Sequence, residues 1–299
     1  MTLWSQAASL VYKCTKKFSG GKGSDGGTVA VVRMDGPIMA GGRMNKSLNL
    51  RTIKKPLEKA FTNKKFNAVA IILNSPGGAP VQSSLIANAI CELKNQYPKK
   101  VYIFIEDVCA SGGYWIASAG DEIYANPASL VGSIGVVSAG FGFHNFIKEH
   151  GIERRIYSAG ENKVRLDPFS ASKEEDREWL ASLQQEMHSL FIQQIKTQRG
   201  DKLNGQDAQL FNGDVWLAAQ AKELGLIDAL GDLDVVMRHT YGDKVKLVAL
   251  NPNKSGFAQM MNSRQGSALS DGVNHGLAQL PAAMMDEVEL RAQWARYGL

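Results

Sequence analysis

Long apolar runs are missing from this sequence. The most apolar stretch near the start, LWSQAASLVY, is ten residues, too short for the roughly 20 that cross a bilayer. It also precedes the basic residues Lys13, Lys16, Lys17 and Lys22, which reverses the order of a secretory signal. Cysteine is scarce. The three, Cys14, Cys91 and Cys109, are odd in number and widely spaced, which excludes a disulfide framework and a zinc pattern. They read as reduced, mostly buried thiols, with Cys109 packed at a strand end. Histidine is also scarce. None of His144, His150, His188, His239 and His275 lies in a glycine-bearing loop. Charge is nearly balanced, 34 basic residues against 29 acidic for a net +5. The basic residues are not interleaved with aromatics and no nucleic-acid motif is present, so a nucleic-acid partner is excluded.

What remains is an ordinary globular composition, 44% hydrophobic and 21% charged. Three regions follow. Residues 1–27 form a basic segment, acid-free over its first 24 residues, which reads as an organelle-targeting or membrane-surface helix or as a frayed terminus. Residues 28–250 form the folded domain. Residues 251–299 are rich in Asn, Ser, Gly and Gln and read as a mobile tail with a short terminal helix over 283–297.

Within the domain, five apolar runs read as strands: 28–34, 67–74, 100–106, 121–125 and 131–137. Their near-continuous Val/Ile character fits strands covered on both faces. Helices are expected over 52–65 and 81–96, and over 172–199 with a Ser172–Glu175 capping box and an apolar stripe from Trp179 to Ile195. A further helix over 217–224 and a last strand over 245–250 follow. The alternation of strand and helix predicts an α/β fold with right-handed crossovers and a mainly parallel sheet.

Three glycine-bearing loops stand beside these strands: NSPGG (74–78), ASGG (110–113) and VGSIG (131–135). Loops after parallel strands share one sheet edge, where ligands bind in such folds, so the three are expected to converge. Ser111 then projects its hydroxyl from that edge. The N–H groups of Gly112 and of the Gly77–Gly78 loop, aimed at one point, make an oxyanion hole. A serine nucleophile needs a base. The histidines are poorly placed, since His188 lies inside the long helix. A lysine serves only when burial removes its proton, and Lys163 lies in a non-periodic loop, SAGENKVRLDPF. By residue chemistry alone Lys163 is more simply an ordinary surface lysine.

NSPGG, ASGGYWIAS, VGSIGVV and AGENK, in this order, resemble the signal peptide peptidase A family, particularly its short SohB-like members. The resemblance runs from about Val29 to Leu250. It implies a ClpP/crotonase-like right-handed ββα spiral and a serine endopeptidase with a Ser–Lys dyad. Ser111 matches the nucleophile and Lys163, 52 residues later, the general base. Gly112 matches one oxyanion donor and Gly78, with Gly77 retained, the other. Ser133 matches a serine that orients the lysine. The resemblance implies no cofactor and no metal, peptide or protein substrates with small or apolar side chains near the cut, and a homo-oligomeric ring. The same fold also serves crotonase-type acyl-CoA enzymes and non-catalytic membrane-surface scaffolds. Retention of both Ser111 and Lys163 argues against these two.

Overall fold

The computed structural model describes residues 26–40 and 47–250. In chain order the first half runs β1 (Thr28–Asp35), α1 (Leu50–Thr62), β2 (Ala68–Ser75), α2 (Pro80–Gln96), β3 (Lys100–Ala110), α3 (Gly112–Ala117), β4 (Glu122–Ala125) and β5 (Leu130–Gly132). The second half runs α4 (His144–Glu149), α5 (Glu174–Arg199), α6 (Asp207–Leu210), β6 (Val215–Leu217), α7 (Ala218–Glu223), β7 (Ala229–Leu230), α8 (Leu233–Tyr241) and β8 (Lys246–Ala249). The expected N-terminal helix and the expected tail after Asn251 fall outside the described residues.

The strands form one sheet in the order β6-β5-β3-β2-β1-β8, with β4 and β7 branching from β3. Every pairing is parallel except β5 with β6. This is the mixed α/β, mainly parallel architecture that the strand–helix alternation implies. Successive residues of β1 face opposite sides of the sheet. Ala30, Val32 and Met34 enter a large core with helices α1, α2, α3 and α5, while Val29 and Val31 enter a smaller one with Met237 of α8. Burial on both faces accounts for runs with no polar alternation.

Strand β3 is where the sheet divides. Its first half pairs with β4 (Tyr102 with Glu122, Ile105 with Ala125), and its last three residues pair with β5 (Val108 with Leu130, Ala110 with Gly132). A register shift separates the halves, because Leu73 opposes Ile105 whereas Ser75 opposes Cys109. The Asn74 side chain bridges this irregularity. Its Oδ1 accepts from the Val108 N–H (3.1 Å) and its Nδ2 donates to Asp107 (2.8 Å). The bulge carries β3 four residues beyond the expected end at 106, up to Ala110.

Other differences have local causes. β5 stops at Gly132 rather than continuing to 137, because Ser133 has φ 53°, outside the β region. The Ser172–Glu175 capping box does not form. Helix α5 is capped by Lys173 without a side-chain bond, and its first turn carries Glu174, Glu175 and Asp176, which suit the positive end of the helix. Of the α5 stripe, Phe191 and Ile195 are buried, but Trp179, Leu183 and Leu190 are exposed among the described residues. Cys109 is a free, buried thiol, whereas Cys91 is disulfide-bonded, against the expectation of reduced thiols throughout.

The end of α5 is fixed by a buried charge cluster. Arg199, 3% exposed, donates to Asp228 (2.9 Å) and twice to the Gly225 carbonyl (3.0 and 2.7 Å). Burial alone would raise the Asp228 carboxyl. The bonds from Arg199, Lys202 and the Ile123 N–H outweigh it and hold the carboxyl below its ordinary value. Stability from this group is therefore present above about pH 4, the ordinary carboxylate range, and is lost as pH falls through the depressed value. Asp228→Asn is expected to cost about 3–5 kcal/mol in denaturant unfolding at pH 7. Its deficit against the parent protein should narrow below about pH 4 as the parent loses the same charge.

Candidate active site

Strand β3 ends at Ala110 and helix α3 begins at Gly112, so Ser111 alone makes the turn. It does so at φ 51° and ψ −124°. A side chain bearing a Cβ rarely takes this conformation, which costs of order 1–3 kcal/mol and persists only where the surroundings over-determine it. Here the Ser111 N–H donates to the Gly132 carbonyl at the end of β5 (2.9 Å), and its carbonyl accepts from Trp115 (3.1 Å). Tyr114 and Trp115, the next residues of α3, are buried. The Tyr114 hydroxyl donates to the Leu226 carbonyl (2.7 Å), and the Trp115 ring stacks on Phe191 of α5 at 4.9 Å. A strained strand-to-helix turn of this kind lifts the hydroxyl above the sheet edge.

The NSPGG loop lies against this turn. A Cβ on Gly77 would stand 2.7 Å from the Ser111 Cβ, and one on Gly78 would stand 2.1 Å from the Ile38 carbonyl oxygen. Both positions also have φ above 100°, so glycine is required by space and by backbone alike. The two N–H groups differ. That of Gly77 donates to Ser75 Oγ (3.2 Å), whereas those of Gly78 and Gly112 meet no acceptor among the described residues. Gly112 is buried and Gly78 is exposed at the cleft, so adjoining loops present two N–H donors that no protein acceptor occupies, an available anion site.

The third loop completes the cleft. Ser133, at φ 53°, donates its N–H to the Asp214 carbonyl (2.6 Å). Gly135 packs against the backbone of Gly213. The resulting cleft, about 790 Å³, is lined by Ser111, Gly78, Gly112 and Ser133, with Trp115, Val136, Met187, Phe191 and Asn212 among its walls. None of its lining residues is Asp, Glu, Lys or Arg. The three loops therefore converge as the sheet topology implies. From the apolar stripe of α5, Met187 lines this cleft, and Phe191, part of the large core, borders it as well. His188, set aside as lying within a helix, also lines the cleft. Nothing in the helical period distinguishes a core-facing side chain from one facing a cleft beside that core.

Lys163 is not brought to this cleft. It is exposed on a turn, its N–H donating to the Gly160 carbonyl (3.2 Å), and its ammonium has no partner among the described residues. The segment around it is anchored by other residues. Arg165 pairs with Asp176 (3.2 Å) and lies over Trp179, and Asp167 accepts from Ser170 (2.7 Å) and Arg154 (3.3 Å). Cys109, two residues before Ser111, is fully buried, and burial pushes its thiol well above the ordinary range, so it is no competing nucleophile. Among the described residues no group of three or more His, Cys, Asp or Glu is placed to hold a metal ion.

A model of peptidase family S49 matches residues 94–246, just over half of the 299 residues. The chain belongs to peptidase family S49. Among curated relatives, a protein of Brucella abortus named Na(+)/H(+) antiporter NhaA is 49% identical over 91% of this chain and 37% of its own length. Protease 4 of Salmonella typhi is 30% identical over 70% of this chain and 33% of its own. The chloroplastic serine protease SPPA of Arabidopsis thaliana is 31% identical over 73% of this chain and 33% of its own. The chain thus spans roughly a third of the length of these relatives.

The Gly78 geometry is testable. Gly78→Ala is expected to lower stability by more than about 1 kcal/mol, since both φ and the Ile38 carbonyl exclude a methyl there. Chemical denaturation checks the loss. An unchanged midpoint would mean that the 76–79 loop is not packed on Ile38.

Proposed function

We propose that this S49 chain is a serine endopeptidase with Ser111 as nucleophile. The observation that carries this reading is the strained Ser111 turn, flanked in one cleft by the unpaired N–H groups of Gly78 and Gly112. The Ser111 Oγ attacks a peptide carbonyl. The carbonyl oxygen becomes an oxyanion that accepts from Gly78 and Gly112. The base passes the serine proton to the leaving amine, and water releases the acyl-enzyme. Gly77 supports the hole from behind, its N–H being held by Ser75.

The base in this reading is Lys163, with Ser133 orienting its amine. A lysine becomes a base when it is withdrawn from water, whereas Lys163 is exposed in the single chain. The surrounding segment is rich in uncovered apolar side chains: Val137 is 69% exposed, Phe141 83% and Tyr157 91%. Leu183 and Leu190 of α5 are exposed as well. We take this surface as the contact through which copies of the chain associate, burying Lys163 beside a neighbour's Ser111. A ring of such contacts is the assembly the family resemblance implies.

An uncharged cleft walled by Trp115, Met187, Phe191 and Val136 suits an extended peptide with small or apolar side chains near the cut. No helix among the described residues is long and apolar enough to cross a membrane.

Ser111→Ala and Lys163→Ala are each expected to reduce hydrolysis of an apolar fluorogenic peptide by about a thousandfold or more. Mixing the two inactive variants should restore part of the activity, because a neighbour supplies the missing group. Full activity in either single variant would overturn the dyad. No recovery on mixing would place both groups in one chain.

A further inference from the structure

The wall that follows β5 is held by few bonds. Gly132 (φ 126°) and Ser133 (φ 53°) turn the chain out of the sheet, and Ser133 pays backbone strain that its surroundings must impose. Beyond Gly135, residues 136–142 make no hydrogen bond among the described residues, although Val136, Val137 and Ala139 line the cleft. Between the strained turn and this untethered stretch lies Ile134, whose side chain is fully buried. Its carbonyl meets the His188 ring, with Nε2 at 3.1 Å. A carbonyl only accepts, so Nε2 carries the proton and donates. That nitrogen is then committed and cannot also take a proton from Ser111.

His188 stands between Met187 and Phe191 on the stretch of α5 that borders the cleft. Phe191 braces Trp115, four residues after the nucleophile. The helix thus touches both sides of the site: the nucleophile's helix through Phe191, and the Ser133 turn through His188. The Ser133 turn is itself tied to Ser111 through the bond from the Ser111 N–H to Gly132.

We propose that His188 is a positioning residue, whose Nε2–H holds the Ile134 carbonyl and so fixes the Ser133–Val137 wall against the nucleophile. The proposal rests on Ser111 peptidase chemistry for its kinetic consequence but not for its structural one. Without the bond, the Ile134 carbonyl loses its donor and the wall shifts. Displacements of about 1 Å at a reacting site can cost on the order of a hundredfold in rate.

The test uses the full chain and three proteins: parent, His188→Phe and His188→Gln. Phenylalanine keeps the ring volume and removes the donor, whereas glutamine keeps an N–H donor within reach of the carbonyl. Hydrogen–deuterium exchange at residues 133–139 reads the wall directly. His188→Phe should speed exchange there at least tenfold while α1 and β1 are unchanged, and His188→Gln should restore parent-like exchange. With the fluorogenic peptide, kcat/KM should fall at least tenfold in His188→Phe and return to within about threefold in His188→Gln. Unchanged exchange in His188→Phe overturns the proposal. Equal, near-complete loss of activity in both variants with parent-like exchange also overturns it and marks His188 as a base. An inactive parent protein would instead remove the peptidase reading, and the exchange result would still decide whether His188 holds the wall.

Discussion

The hydrogen bond from the Ser111 N–H to the Gly132 carbonyl (2.9 Å) joins the ends of two strands, β3 and β5, just where both leave the sheet. Each end then turns through a serine with positive φ, 51° at Ser111 and 53° at Ser133. Neither conformation is one that a serine adopts unaided, so the joint must be imposed from outside. The imposing parts are identifiable. Tyr114 and Trp115 are locked into the core below Ser111, Asp214 receives the Ser133 N–H, and the NSPGG loop approaches so closely that no Cβ fits. The positive φ at Ser111 and Ser133 is a consequence of packing, and both residues line the cleft.

The division of β3 has the same importance at a larger scale. Because its first half pairs with β4 and its last three residues with β5, the strand extends beyond its neighbour and delivers Ser111 above the sheet. The Asn74 side chain makes this extension possible by satisfying the backbone where the register shifts. Asn74 opens the NSPGG motif, so one short sequence both repairs the sheet and supplies the donor loop.

Much of this was legible from residue order. The strands over 28–34, 67–74 and 100–106 follow from continuous apolar character, and the shared edge of the three glycine loops follows from parallel topology. Ser111, Gly78, Gly112 and Ser133 meet as that topology implies. The early end of β5 was not legible, because Val136 and Val137 look like strand residues. Only the left-handed turn at Ser133 reveals that they are a cleft wall. The exposure of Leu183 on α5 has the same origin: it keeps a helical period whether or not a surface of this chain covers it. Lys163 shows the limit most clearly. The AGENK motif resembles a catalytic loop, yet burial of a lysine depends on what covers it, and Lys163 is exposed among the described residues.

The proposed nucleophile, Ser111, owes its place above the sheet to the strained turn. Treating the full chain with a fluorophosphonate and mapping the adduct by peptide mass spectrometry tests that role most directly. One adduct is expected, on Ser111 and absent from Ser111→Ala. An unmodified Ser111 under conditions that label an ordinary serine peptidase, or an adduct on another residue with Ser111 intact, would contradict it.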